Sequence, residues 1–283
     1  MNYRHLYHAG NFADVCKHVI LVNLINSFKY KDTPFCYFDT HAGRGRYHLL
    51  AAAAQQTQEY QGGINRLLNV GEILPGIASY LNLVMACNQG KSANIVNYPG
   101  SPWIASALLR PQDRAILIEL HPEELQILQQ ELGHHNQVAI HHLDGYQGIK
   151  ALLPPKEKRG LLFIDPSFEK LEREFDDILT GIKIAHQRWR HGMIAVWYPI
   201  KARQVINHFH QQLTTQAIRK ILVAELCLFP DDVKLRLNGS GMVIINPPWQ
   251  FDRQVQTWLM QLLPWLTIAD NPGKVSVKWL VTE

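Results

Sequence analysis

An α/β protein built on a largely parallel sheet is what this 283-residue chain predicts, and three features predict it. Apolar runs of strand length recur along the chain, several apolar throughout, as strands covered on both faces are. Helical patterns lie between the early ones, so the connections read as crossovers. Successive strands also end in an acid, at Asp39, Glu119, Asp144 and Asp165, and such ends gather on one sheet edge, where open α/β folds bind ligands.

Asn11 can cap a first helix running to about Tyr30, with Asp14 in its first turn and Val15, Val19, Val22, Ile25 and Phe28 as a buried stripe. Strands are expected at Phe35–Asp39, Ala115–Glu119, Val138–His142, Leu161–Asp165, Met193–Tyr198, Ile221–Leu228, Met242–Asn246 and Val275–Val281. Helices are expected at Glu123–Leu132, Gly148–Leu153, Phe175–Trp189 and Asp252–Leu263. The interval from Asp39 to Ala115, roughly 75 residues, is too long for one crossover helix. It holds two helix-compatible stretches, Ile64–Val70 and Ile73–Cys87, then a polar break over residues 88–94. The expected organisation is therefore a core of residues 1–49 and 99–283 with a helical insertion at 50–98.

Composition narrows the class. Hydrophobic residues make up 47% and charged residues 18%, which suits a packed core and excludes a disordered chain. The net charge of +4 permits a nucleic-acid partner without demanding one. Cys16, Cys36, Cys87 and Cys227 stand in apolar stretches without CxxC spacing, so they read as buried thiols. His134-His135 and His141-His142 lack partners at ligand spacing, so no metal is expected. The opening is polar and His-rich, and no apolar span reaches the roughly 18 residues a membrane crossing needs, so a cytoplasmic protein with no membrane partner is expected.

Two loops carry the chemistry. Phe35–Asp39 runs into Thr40-His41-Ala42-Gly43-Arg44-Gly45-Arg46, a buried strand followed at once by a Gly-x-Gly turn that lets the backbone approach a nucleotide-like ligand. A third glycine is absent, which favours S-adenosyl-L-methionine, a cofactor without phosphate, over a dinucleotide. Glu119 suits the ribose hydroxyls and Asp144-Gly145 the adenine amine. The second loop, Asp165-Pro166-Ser167-Phe168, closes the run Leu161–Ile164. Asp165 and the carbonyl of Pro166 can accept hydrogen bonds from an exocyclic amine while Phe168 stacks on its ring, holding the nitrogen toward an incoming methyl group. A rival string, Asn246-Pro247-Pro248-Trp249, ends a late strand away from the switch point and is read as a proline-enforced strand terminus. Basic residues Arg4, Lys17, Arg44, Arg46, Lys156, Lys158, Arg159, Lys170 and Arg173 are expected to border the mouth and meet a polyanion.

Several segments together resemble one family. They are Tyr3-Arg4-His5, the string from His8 to His18, Asp39 to Tyr47, Tyr98-Pro99-Gly100-Ser101-Pro102, Glu119-Leu120-His121-Pro122, Asp144-Gly145, Asp165-Pro166 and Gly241 to Trp249. The family is the bacterial methyltransferases of adenine N6 that act on adenine 2030 of 23S rRNA, and the likeness runs nearly end to end. It implies a Rossmann-like class I adenosylmethionine-dependent methyltransferase sheet with a small inserted helical subdomain. It also implies that His18, His41, Gly43, Ser101, Glu119, Asp144 and Gly145 bind S-adenosyl-L-methionine, that Asp165 is catalytic, and that Tyr3 meets the RNA. The implied partner is 23S rRNA in protein-free or early-assembly form, with the enzyme a monomer. Ser167 departs from the Asp-Pro-Pro-Tyr pattern common in such enzymes and removes a ring that stiffens the loop. Two alternatives stay open: an adenine-N6 methyltransferase of DNA, and an RNA-binding or assembly protein whose chemistry Ser167 has weakened.

Overall fold

A computed structural model describes residues 4–90, 95–169, 171–230, 237–267 and 273–282. Its strands are β1 (Phe35–Asp39), β2 (Arg46–His48), β3 (Asn97–Pro99), β4 (Arg114–Glu119), β5 (Val138–His142), β6 (Arg159–Ile164), β7 (Met193–Ile200), β8 (Ile221–Cys227), β9 (Gly239–Ile245) and β10 (Lys274–Val281). Its helices are α1 (Phe12–Phe28), α2 (Ala52–Thr57), α3 (Pro75–Cys87), α4 (Ser101–Leu108), α5 (Pro122–Leu132), α6 (Gly145–Leu152), α7 (Leu171–Arg188), α8 (Arg203–Thr214) and α9 (Phe251–Leu266).

Eight strands form one sheet in the order β10-β8-β9-β7-β6-β1-β4-β5. β1, β4, β5, β6 and β7 run parallel. β9 inserts antiparallel between β7 and β8, and β10 pairs antiparallel with β8. From β1 the chain builds outward to β4 and β5, then returns to β6 on the other side. The switch point thus lies between β1 and β6, where the loops that follow the two strands open a crevice.

Alternation along each central strand feeds two cores. Phe35 and Tyr37 face the cluster under α1, α3, α4, α5 and α9, while Cys36 and Phe38 face the cluster under α6, α7 and α8. Leu161 and Phe163 against Leu162 and Ile164 repeat the division one strand over. All four cysteines are buried and free.

Helix α1 differs from the striped helix expected. Thirteen of its residues are buried, and they lie on every side of the helix. It sits between the sheet, α3 and α9, where a helix must be covered all round. Its start is capped as expected, with the Asn11 side chain accepting from Asp14 N–H at 2.9 Å. Residues 49–96 leave and rejoin the core through the β2–β3 pair, Arg46 against Pro99 and His48 against Asn97. The segment's Ile64, Leu67, Ile77, Tyr80 and Val84 join the core beneath α1. Among the described residues no helix is long and apolar enough to cross a membrane, and no group of His, Cys, Asp and Glu is arranged to hold a metal ion.

Candidate active site

The carboxyl edge of the sheet carries a cavity of about 360 Å³. Its walls hold His18, His41, Gly43, Ser101, Glu119, Asp144, Gly145, Asp165 and Pro166, so most of the residues singled out from the sequence converge there. The size falls in the range of sites that enclose a cofactor.

One end is shaped around the loop after β1. Glu119, at the end of β4, accepts from Gly43 N–H at 2.7 Å and from His121 N–H at 2.6 Å, which fixes its carboxylate toward the cavity. Burial raises its pKa, and those two N–H groups work against the rise. Gly43 has φ +62, and a side chain there would collide with the hydroxyl of Tyr47. Asp144 caps α6, accepting from Gln147 N–H at 2.9 Å, and Gly145 lets α6 close directly onto the carbonyl of Thr40.

Asp39, fully buried, works beneath the cavity as a hub. Tyr37 and Ser101 hydroxyls each donate to its Oδ2 at 2.7 Å, and His41 N–H reaches Oδ1 at 3.2 Å. Burial pushes its pKa up to about 6 despite these donors. Two histidines line the walls. His18 is 1% exposed and bonded through Nδ1 to Tyr98 Oη at 2.8 Å; burial pushes it down to about 3. His41 is pushed down to about 4, also by burial. Both rings are therefore neutral near pH 7 and offer polar contacts without a positive charge. The buried His121 Nδ1 at the cavity wall has no partner among the described residues. A carboxylate fixed toward the cavity, neutral rings and an unpaired ring nitrogen fit a phosphate-free nucleoside cofactor better than a phosphorylated one.

At the other end stands Asp165. Lys17 Nζ donates to its Oδ2 at 2.8 Å and lies 2.8 Å from Asp14 Oδ1. Burial disfavours the Lys17 ammonium, but Asp14 and Asp165 outweigh that and hold its pKa above the ordinary lysine value. Asp14 also bonds His5 Nε2 at 2.9 Å and Gly10 N–H at 2.9 Å, and its pKa lies well below the usual carboxylate range: desolvation opposes ionisation, and His5 and Lys17 overcome it. Trp197 of β7 lies beside this row with Lys17 Nζ 5.0 Å from its ring centroid. Trp197, His5 and Ser167 also line a second cavity of about 560 Å³, bounded further by His8, Asn11, Glu59 and Lys201. The two cavities thus share His5, Ser167 and Trp197 as walls, and Asp165 lines the first of them.

Two expectations are corrected. Phe168 does not present a ring face to the first cavity. With φ +52 it turns inward, is 4% exposed, and packs against Phe175 and Trp197, touching only the second cavity. The basic mouth divides. Arg4, Arg44, Arg46 and Arg173 face Glu123, Glu124, Glu131 and Asp177, and Lys17 is buried. Lys156, Lys158 and Arg159 open β6, so the length of that strand puts them on the opposite edge. Tyr3 and Lys170 lie outside the described residues. Lys17 as the brace of Asp165, Asp39 as a hub and Trp197 as the ring lining both cavities were not assigned from sequence. A lysine, followed by His18, inside the otherwise apolar run Val15–Val22 was the signal for the first.

Sheet order, switch-point crevice and acid-ended strands define a class I adenosylmethionine-dependent methyltransferase fold. Residues 32–281 match the family model described as "Ribosomal RNA large subunit methyltransferase D, RlmJ". Over its whole length the chain is 40% identical to all of "Ribosomal RNA large subunit methyltransferase J" of Escherichia coli (strain K12). It is 39% identical, again over both full lengths, to the protein of that name in Haemophilus influenzae (strain ATCC 51907 / DSM 11121 / KW20 / Rd). A crystal structure of a protein from Legionella pneumophila str. Philadelphia 1 superposes with a TM-score of 0.87 at 36% identity, covering 96% of this chain and 98% of that one. The chain belongs to the RlmJ family of ribosomal RNA large-subunit methyltransferases.

Proposed function

We propose that this protein transfers a methyl group from S-adenosyl-L-methionine to the N6 amine of an adenine in 23S rRNA, the family's adenine 2030, acting on protein-free or early-assembly RNA as a monomer. The observation that carries the reading is the position of Asp165. It stands at the switch point on the wall of the first cavity, with one carboxylate oxygen held by Lys17 and its side chain 14% exposed.

Glu119, Asp144, His18, His41 and Ser101 would hold the cofactor, which supplies an electrophilic methyl group when bound. The target base must leave its stack to reach Asp165, as enzymes working on a base edge require. The second cavity, lined by Trp197 and His5, offers the room and the ring. Lys17 fixes Oδ2 of Asp165 and leaves Oδ1 to accept from the amine, and the carbonyl of Pro166, which lines the same cavity, would accept a second bond. The two acceptors set the nitrogen lone pair toward the methyl group, and the carboxylate disperses positive charge as transfer proceeds. Because buried Asp14 and partly buried Asp165 share the Lys17 ammonium, Asp165 would have a fixed geometry before substrate arrives.

The test is mass mapping of N6-methyladenine in 23S rRNA from cells with and without the protein, paired with the purified enzyme on transcribed 23S rRNA. The proposal expects one adenine to gain the modification in both. Modification of DNA and not RNA, or cofactor binding with no transfer to any nucleic acid, would replace it with one of the two alternatives.

A further inference from the structure

The modest net charge of +4 conceals an uneven distribution. On the catalytic edge Arg4, Arg44 and Arg46 are each engaged by a glutamate, at 3.1 Å for Arg4 and 2.7 Å for Arg46. Among the described residues, Lys201 at the end of β7 stays exposed without a carboxylate within 4.0 Å, and the paired arginines leave little further positive charge to attract a phosphate backbone. The opposite edge is different. Lys31 precedes β1, Lys156 and Lys158 precede β6, Arg190 precedes β7 and Arg219 precedes β8. All five are exposed, and none has a carboxylate within 4.0 Å among the described residues. Among the described residues, Asp113 is held by Arg110, Glu157 faces Arg114, Asp252 accepts from Trp279, and Asp32, fully exposed, lies 3.9 Å from Arg110.

The edge is continuous. Strands β8, β9, β7, β6 and β1 are neighbours, so the strand ends that carry these cations span about 19 Å at the usual strand spacing. Hydrogen bonds tie the loops together, Asn246 reaching the carbonyls of Arg190 and Gly192, and Arg159 those of Thr33 and Phe28. Two aromatic rings stand free among the cations, Tyr30 at 88% exposure and Trp249 at 86%. Exposed flat rings interleaved with unpaired cations suit a nucleic-acid strand, phosphates on the cations and unpaired bases on the rings. An acidic protein partner would use the cations and leave the rings unexplained.

We propose that the amino edge of the sheet, opposite the cavity, is a second RNA contact surface that grips the phosphate backbone of the substrate at a distance from the target adenine. It rests on the reading that RNA is the substrate. The uneven charge separates two roles, with the carboxyl edge positioning a base and the amino edge supplying the electrostatic hold.

The test reverses three exposed charges together, Lys158→Glu, Arg190→Glu and Arg219→Glu, none of which touches the cavity. Methylation and filter binding are then measured on transcribed 23S rRNA and on fragments shortened stepwise around the modified adenine. For long RNA, KM and Kd should rise roughly tenfold, and the slope of log affinity against log salt should shrink by about 2–3, while kcat and cofactor affinity stay at wild-type values. The penalty should fade as the fragment becomes too short to reach the amino edge. A Trp249→Ala variant should lose the ultraviolet crosslink from this edge to long RNA. Wild-type KM, Kd and salt slope in the triple variant at every length would overturn the proposal. So would a wild-type dimer in sedimentation that the triple variant dissociates, since a second copy would then occupy the edge. Filter binding needs no methyl transfer, so it reads this edge even if the assignment of the cavity fails.

Discussion

Asp165-Pro166-Ser167-Phe168 and Asn246-Pro247-Pro248-Trp249 are near twins as strings, and the fold gives them opposite fates. Each closes a buried strand on a polar residue and a proline, and each contains a residue in the left-handed region, Phe168 at φ 52 and Asn246 at φ 55. Asp165 ends a parallel strand at the switch point and meets Lys17 and an open cavity. Asn246 ends β9, which runs antiparallel to β7, so it emerges on the far edge. There its amide donates to the Arg190 carbonyl at 3.1 Å and the Gly192 carbonyl at 3.0 Å, engaging the side chain in holding a turn. The rings are exchanged as well: Phe168 is buried and Trp249 is 86% exposed. Strand direction, more than the string itself, decides which loop can do chemistry.

The largest expected effect sharpens this contrast at the catalytic edge. Lys17→Met leaves the buried carboxylate of Asp14 and the partly buried one of Asp165 without their shared cation, and should cost about 3–5 kcal/mol of stability. Urea unfolding checks it; a change below about 1 kcal/mol would mean that the ammonium does not bind the row together. The five unpaired cations of the far edge have no equivalent, since they lie in solvent.

The next effect belongs to the cofactor end. Glu119→Ala should weaken S-adenosyl-L-methionine binding by about 1–3 kcal/mol through loss of charge-assisted bonds to the ribose. Calorimetric titration reads this directly, and unchanged affinity in a folded variant would remove Glu119 from the site.

Histidine burial makes the same end sensitive to acid. In the folded protein His18 takes a proton only near pH 3, whereas the unfolded chain takes one near the ordinary histidine value of 6.5. The unfolded state therefore binds more protons between these values, and stability falls as the pH drops from 7 to 5. This one group contributes about 2 kcal/mol to that fall. In His18→Gln the difference in unfolding free energy between pH 7 and pH 5 should shrink by about that amount. An identical difference in the two proteins would show that His18 is protonated in the folded state.

How much of this was legible in the sequence follows from the same contrast. Eight runs of strand length became the eight strands of the main sheet, because central strands must be apolar on both faces and such runs stand out. The short β2–β3 pair and helices α4 and α8 left no comparable trace. The β2–β3 pair is three residues long in each strand, and α4 begins with Ser101-Pro102 in a segment that reads as a turn. Convergence of the acids could be seen, because every parallel strand ends on the same edge. What could not be seen was which cations share that edge. Lys158 lies only seven positions before Asp165, yet β6 carries it to the other side of the sheet. Phe168 misled for a related reason: its backbone turns the ring into the core, and no residue type announces that turn.

A smaller effect probes the far edge itself. Asn246→Ala removes two amide donors and puts alanine in a left-handed backbone, so stability should fall by about 1–2 kcal/mol. The rate of methyl transfer by the folded variant should remain within about twofold of wild type, because no atom of this turn reaches the cavity.

Single-turnover methyl transfer to transcribed 23S rRNA, comparing Asp165→Ala with Asn246→Ala and measuring cofactor affinity alongside, puts the role of Asp165 to its sharpest test. Loss of the amine acceptor should slow transfer by about 10²–10³-fold in Asp165→Ala, with cofactor binding little changed, while Asn246→Ala transfers at nearly the wild-type rate. Retained transfer in Asp165→Ala together with its loss in Asn246→Ala would contradict the assignment and move the chemistry to the other edge of the sheet.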